Sequence, residues 1–286
     1  MIQNPRILYF DQDAGATMNQ RVIIEQQGAI ATVTLNRADK HNGMDLDMLR
    51  AVIKAQKKVR KMKGIRAVIL KGDGPSFCSG LDFKSVLANP VSAFTSYLQL
   101  WWPVANQFQN WSMGWRKVGV PVIALMHGNC FGAGLQLGLG ADIRICHPDA
   151  KLSMMEAKWG LVPDMGGIAL MRELMPLDQA KELTFTGRIM DPNQAKELGL
   201  ITHISDNPQL KADQLIEEIV SRSPDSVAAG KFLLQDAWRA SNRNALRSER
   251  IWQKRIIGRK NQRITVQNNQ KTSKQERLSF INRRIG

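Results

Sequence analysis

The sequence is short of the residues that anchor whole classes of function. It has three cysteines, Cys78, Cys130 and Cys146, an odd number without metal-ligand spacing. That argues against a disulfide framework and a thiolate metal site, and reduced thiols in a cytoplasmic protein are the expectation. The four histidines are scattered, so no His/Cys cluster calls for a metal or redox cofactor, and none is expected. No apolar run approaches the ~20 residues that a membrane span needs. The opening MIQNPRILYFDQDAG lacks the basic start and long apolar stretch of a secretory signal, and it is not the Arg- and Ser-rich type of a transit peptide. Met18 lies just before the first strand-like run, so residues 1–17 are expected to be a loose extension or the product of an upstream start.

Several nucleotide and hydrolase motifs are also missing. No G-x-x-x-x-G-K-[ST] run exists. Gly132 and Gly134 begin a dinucleotide fingerprint, but Leu137 stands where the third glycine is required. GPSFC fails the nucleophile-elbow pattern because it ends in Cys78. Acid is scarce at one end of the chain. Residues 239–286 carry 14 Lys or Arg against Glu249 and Glu276, a net +12 of the total +15. Such a tail either presents a solvated, amphipathic helical face or attracts an anionic partner, nucleic acid included.

What is present reads as alternating strands and helices. RVIIEQQGAIATVTLNR (21–37) is two β-rich runs around a Gln-Gly turn, a hairpin. DLDMLRAVIKAQKKVRKMKG (45–64) has apolar residues at helical spacing and ends in glycine. IRAVILKG (65–72), VPVIALM (120–126) and DIRICH (142–147) are short buried strands, with Pro121 near a strand start where a missing donor is tolerable. The alternation predicts an α/β core over residues 18–205 with parallel strands, followed by a basic helical region over 206–286. The segment 85–116 concentrates Phe94, Tyr97, Trp101, Trp102, Phe108, Trp111 and Trp115, either as packed core or as the wall of an apolar pocket.

The most telling stretch is HGNCFGAGLQLGLGADIRI, His127 to Ile145, with five glycines directly after a strand. A strand entering a Gly/Ala-rich turn that opens a helix leaves unpaired amides along the helix axis. Those amides suit an anion or a developing oxyanion, and small residues let a ligand carbonyl reach them. GPSFCSGLD (74–82) is a second such turn after a strand. For either turn alone, close helix–strand packing is the plainer reading.

Four stretches in order carry a resemblance: FCSGLDFK (77–84), PVIALMHGNCFGAGLQLGLGADIRI (121–145), AKLSMMEAKWGLVPDMGG (150–167) and AKELTFTGRIMDPNQAKELGLITHI (180–204). Over roughly 20–260 the chain resembles the crotonase, or enoyl-CoA hydratase/isomerase, superfamily. The resemblance implies a spiral of β-β-α units whose helical C-terminal region packs trimers or dimers of trimers. It implies an acyl-CoA thioester as substrate, with coenzyme A part of that substrate and not a separate cofactor. It also implies an oxyanion hole made by the backbone amides of Cys78 and Ala133. The Cys78 thiol itself is not expected to react.

Where hydratases of the family carry two glutamates, this chain has Glu156 and, at the other position, Gln136. An amide cannot take or give a proton as a carboxylate does, so Gln136 is left to hold a water or orient the substrate. Eight residues beyond Glu156 comes Asp164, an acid placed as in the dienoyl-CoA isomerase branch. Glu156 is expected to be the base, against the plainer reading of a surface charge. Asp164 either shares the proton traffic or caps the helix that follows it. Lys84 matches a family position near the adenine and ribose of CoA, or is simply a solvated lysine. The resulting expectation is a double-bond isomerase, with a hydratase in which Gln136 places the water as the alternative.

Overall fold

A computed structural model describes residues 6–7, 20–87, 101, 106–271, 273 and 276–286. The predicted hairpin forms: β2 (Val22–Gln27) and β3 (Ile30–Leu35) pair antiparallel, with Gln27 opposite Ile30 and Gly28 at positive φ in the two-residue turn. Arg6–Ile7, within the expected loose extension, form β1 and pair antiparallel with β2. The next three strands are parallel: β4 (Ala67–Gly72), β5 (Val122–Met126) and β7 (Ile143–Cys146), joined at the edge by β9 (His203–Ile204). Two further short strands, β6 (Asn129–Phe131) and β8 (Lys151–Ser153), pair parallel in a sheet of their own.

The parallel strands read as continuous apolar runs because both faces are covered. Val68, Leu70, Val122, Ala124 and Met126 face the main core with helix α1 (Leu46–Lys61). Their alternates Ala67, Ile69, Ile123 and Leu125 face a second cluster with Ala212 and Ile216 of a later helix, Pro208–Val220. That period of two is the pleat itself. Asp45 caps α1, accepting the Met48 amide at 2.7 Å, and Gly64 follows its end.

Strands do stop after residue 204 among the described residues, as the sequence predicts. The helix Pro208–Val220 nevertheless belongs to the sheet it covers, so the change at 205 is one of element type, not of core. The terminal segment is held closely. Ile281 N–H donates to Asn261 Oδ1 (3.0 Å), Arg284 N–H to Asp225 Oδ1 (2.6 Å), and Gly64 N–H to Asn282 Oδ1 (3.1 Å). The end of the basic tail, after the helices Asn242–Ile256 and Lys260–Asn269, is a folded-back strap along the core. Among the described residues no helix is long and apolar enough to cross a membrane.

Candidate active site

Chain direction puts both glycine turns at one end of the parallel strands. The first follows β4; the second links β6 to helix α4 (Ala133–Leu139), the helix that the Gly/Ala-rich turn opens. Cys78 and Cys130 pair as a parallel bridge, with Phe131 N–H donating to Cys78 O at 3.1 Å. A Cβ on Gly134 would stand 2.0 Å from Cys78 O, and one on Gly80 2.9 Å from Phe131 O. These glycines are small so that two backbones can touch. Close packing and the oxyanion arrangement are therefore the same feature.

One expectation is corrected here. The Cys78 amide already donates to Asn129 O at 3.1 Å, and Cys78 is fully buried, so this N–H cannot meet a ligand. The bridge that aligns the two turns consumes it. Three residues on, Leu81 lines the cavity, and its N–H has no acceptor among the described residues, while its neighbour Asp82 N–H is taken by Met44 O. Ala133, the first residue of α4, also lines the cavity, and its N–H belongs to the helix's unpaired first turn. The sequence reading stopped at the wrong residue of the right turn. The available signal was Gly80, whose φ of +98° marks the point where the strand-like path breaks. Trp111, fully buried on helix α3 (Gln107–Met113), fixes the start of α4 from behind by donating from Nε1 to Ala133 O at 2.8 Å.

Glu156 opens a short 3-10 turn, Glu156–Trp159, after β8, and its carboxylate lies along Gly132. Gln136, on α4 and fully buried, donates from Nε2 to Glu156 Oε1 at 2.6 Å. Its own oxygen accepts Met165 N–H (3.0 Å) and Gly167 N–H (2.9 Å). Those two bonds fix which way the amide points. They also overturn the expectation that Gln136 places a water or the substrate, because its oxygen is taken and the side chain does not line the cavity. Gln136 instead holds Glu156 and closes the start of helix α5 (Gly167–Met171). Asp164 therefore has no capping role: no side chain at the helix's own cap position bonds its amides, and Gln136 serves that start.

Glu156 Oε2 is buried and has no partner among the described residues. Burial raises the Glu156 carboxyl above the usual range; its own backbone amide and the Gln136 bond oppose this, and the charge of Asp164 adds to it. The Asp164 carboxyl is also raised, chiefly by the protein around it, with its own amide opposing. Asp164 keeps an open side toward solvent, which limits that rise. Two carboxyls with weakened acidity thus line one cavity of about 130 Å3 together with Gly80, Leu81 and Ala133. Among the described residues no Lys, Arg or His lines it. Phe83 and Trp159 stack across its rim, ring centroids 4.7 Å apart.

The remaining expected residues are distributed differently. Lys84 is exposed in helix α2 (Phe83–Leu87), next to the rim and not in the cavity lining. Trp111 and Trp115 are fully buried core, so for these two the packing reading holds. Trp101 is exposed and Phe108 half-buried, while Phe94, Tyr97 and Trp102 fall outside the described residues. Burial pushes the Cys78 thiol up to about 12, consistent with an unreactive sulfur.

Two amide-bearing turns facing a carboxyl pair, on a spiral of short strands closed by helices, define a crotonase-type site. The comparisons with known proteins carry the same family. The enoyl-CoA hydratase/isomerase family matches residues 25–276, and the chain belongs to that family. The strap beyond residue 276 lies outside the match. A mitochondrial methylglutaconyl-CoA hydratase of Mus musculus is 30% identical over 60% of this chain and 52% of its own length. A mitochondrial Delta(3,5)-Delta(2,4)-dienoyl-CoA isomerase of Dictyostelium discoideum is 29% identical over 57% of each. The chain thus spans about half the length of the first of these curated relatives. An enoyl-CoA hydratase structure from Bacillus anthracis superposes with a TM-score of 0.80 at 25% identity, covering 87% of this chain and 96% of the other. One from Thermobifida fusca, in complex with CoA, gives 0.73 at 28% identity over 82% and 92%.

Proposed function

We propose that this protein is an acyl-CoA double-bond isomerase acting through an enolate. The observation that carries this reading is the hydrogen-bonding of Gln136. Its oxygen is occupied by Met165 N–H and Gly167 N–H and its NH2 group by Glu156, which leaves Glu156 and Asp164 as the two proton carriers of the cavity. The thioester carbonyl accepts the Leu81 and Ala133 N–H groups. A carboxylate removes the proton beside that carbonyl from a 3-enoyl or 3,5-dienoyl thioester. The C–H electron pair moves into the conjugated system, and the carbonyl oxygen takes the negative charge. A carboxyl then returns a proton further along the chain, and the double bond emerges shifted. No water is consumed and nothing is oxidised.

Each part supplies a recognisable share. Two preorganised amides stabilise the developing oxyanion, and losing one such donor typically costs about 3–4 kcal/mol. The raised pKa values bring the carboxyls nearer to working pH, where the same group can both accept and return a proton. Gln136 keeps Oε1 of Glu156 occupied, so Oε2 is the oxygen free to react. Among the described residues no cation lines the cavity to lock either carboxyl in a permanently ionised pair. Parallel assays of 3-enoyl- and 3,5-dienoyl-CoA isomerisation and crotonyl-CoA hydration test the reading. Isomerisation faster by at least tenfold is expected; hydration faster than isomerisation overturns it.

A further inference from the structure

The connection between α1 and β4, together with the returning strap, forms a second concave site. Arg60 and Lys61 end α1, Lys63 and Arg66 lead into β4, and Arg283 and Arg284 arrive with the strap. These six cations surround a groove of about 390 Å3 that no acidic side chain lines among the described residues. None of the ion pairs among the described residues includes any of the six. Asp225 lies buried close by, but its oxygens accept Asn261 Nδ2 and the Arg284 amide. Arg66 is held over the Phe280 ring, 5.5 Å from its centroid, and the buried Nε of Arg283 has no acceptor. Burial lowers the pKa of both Arg66 and Arg283, with Asp225 opposing only in part. Six like charges that the buried Asp225 offsets only in part repel one another, and a polyanion entering the groove relieves that repulsion.

We infer that this groove binds a compact anion carrying several phosphate groups. Guanidinium forks match pairs of phosphate oxygens, and the volume lies in the range of small-molecule sites. Its position separates it from the thioester cavity: it lies before β4, and the cavity lies after it. Six strand residues put the two ends roughly 20 Å apart. An adjoining cavity of about 580 Å3 shares Ile281, Arg284 and Gly286 and is lined by Arg255, Arg259 and Lys260 together with Asp225 and Asp236, so there is room for a mixed polar group attached to the phosphates.

The test is calorimetric titration of the full chain with tripolyphosphate, ATP and inorganic phosphate. The comparison is the triple variant Arg60→Ala/Lys61→Ala/Lys63→Ala, built from exposed positions and checked for an unchanged Tm without ligand. Tripolyphosphate is expected to bind at least tenfold tighter than phosphate, and at least tenfold weaker to the variant. Higher affinity for ATP assigns the adjoining cavity to the nucleoside; equal affinity assigns recognition to the phosphates alone. Equal binding to variant and wild type overturns the proposal. So does a single-stranded oligonucleotide bound a hundredfold tighter than tripolyphosphate, which would make the groove part of a nucleic-acid track. A raised KM for the thioester in the variant overturns its separation from the cavity. If the triple variant is unstable, Lys63→Glu alone serves, with the same tenfold loss expected.

Discussion

Among the described residues, the chain gathers two carboxyls, two unpaired amides and no lining cation beyond the C-terminal ends of β4 and β5, and six cations and no lining acidic side chain before the start of β4. The same parallel strands separate the two. In the cavity, charge is restrained: the carboxyls are crowded, one is held by an amide, and positive potential comes from fixed backbone dipoles. In the groove, charge is left bare on long side chains. The contrast teaches that proton transfer needs groups poised between charge states, whereas capture of an anion needs groups that never leave theirs.

The sharpest way to break this comparison is to remove the poised carboxyl. Glu156→Gln is expected to lower isomerase turnover by about 10^3-fold, measured as kcat with saturating thioester. Turnover within tenfold of wild type would mean that the base lies elsewhere. Next in size is the amide pair. Ala133→Pro deletes the N–H at a helix position where proline is tolerated, and kcat is expected to fall by ~10^2–10^3 with the circular dichroism spectrum retained. The matching Cys78→Ala change should leave kcat within about threefold, since neither its thiol nor its amide is free to act.

Gln136→Leu tests whether the buried amide is a holder of Glu156. It leaves the Met165 and Gly167 amides without an acceptor, and a loss of ~1–3 kcal/mol in unfolding free energy is expected from denaturant titration. The rising limb of the kcat–pH profile should also move upward, because the bond from Gln136 favours the ionised form of Glu156. A merely structural role would leave that limb in place. Asp164→Asn should move the limb the other way: removing the neighbouring negative charge lowers the raised Glu156 value, so the base form persists to lower pH. An upward shift would break the carboxyl-pair reading.

The smallest effect is on stability. The Glu156 carboxyl is raised in the folded protein, so its favourable contribution is full below the unfolded value and is lost as pH rises through the folded one. Glu156→Gln is therefore expected to gain about 1 kcal/mol at neutral pH and less near pH 4, read from Tm in both buffers. A loss at neutral pH would contradict the strained carboxyl.

Much of this was legible beforehand. Alternation of apolar runs and turn residues gave the hairpin, the parallel strands and the amphipathic α1, because period and turn chemistry are local properties. Motif order gave Glu156, Ala133 and the cavity's two turns. Leu81 was missed because which amide a turn leaves unpaired depends on what its neighbours bond across space. Gln136 was misread for the same reason: its partners Met165 and Gly167 lie 29 and 31 residues away. The basic tail was read as a helical region with a solvated face or an anionic partner, and charge along a chain does not reveal the Asn261 and Asp225 contacts that hold its end.

The residues alone determined the alternation of strands and helices, because periodicity is local, and the resemblance they carry pointed to the family and to Glu156 and Asp164 as candidate carboxyls. Only the folded chain decided which N–H stays unbonded, what the Gln136 amide grips, and that six scattered cations meet. Those outcomes depend on distances between residues far apart in sequence, and such distances exist only once the backbone has closed on itself.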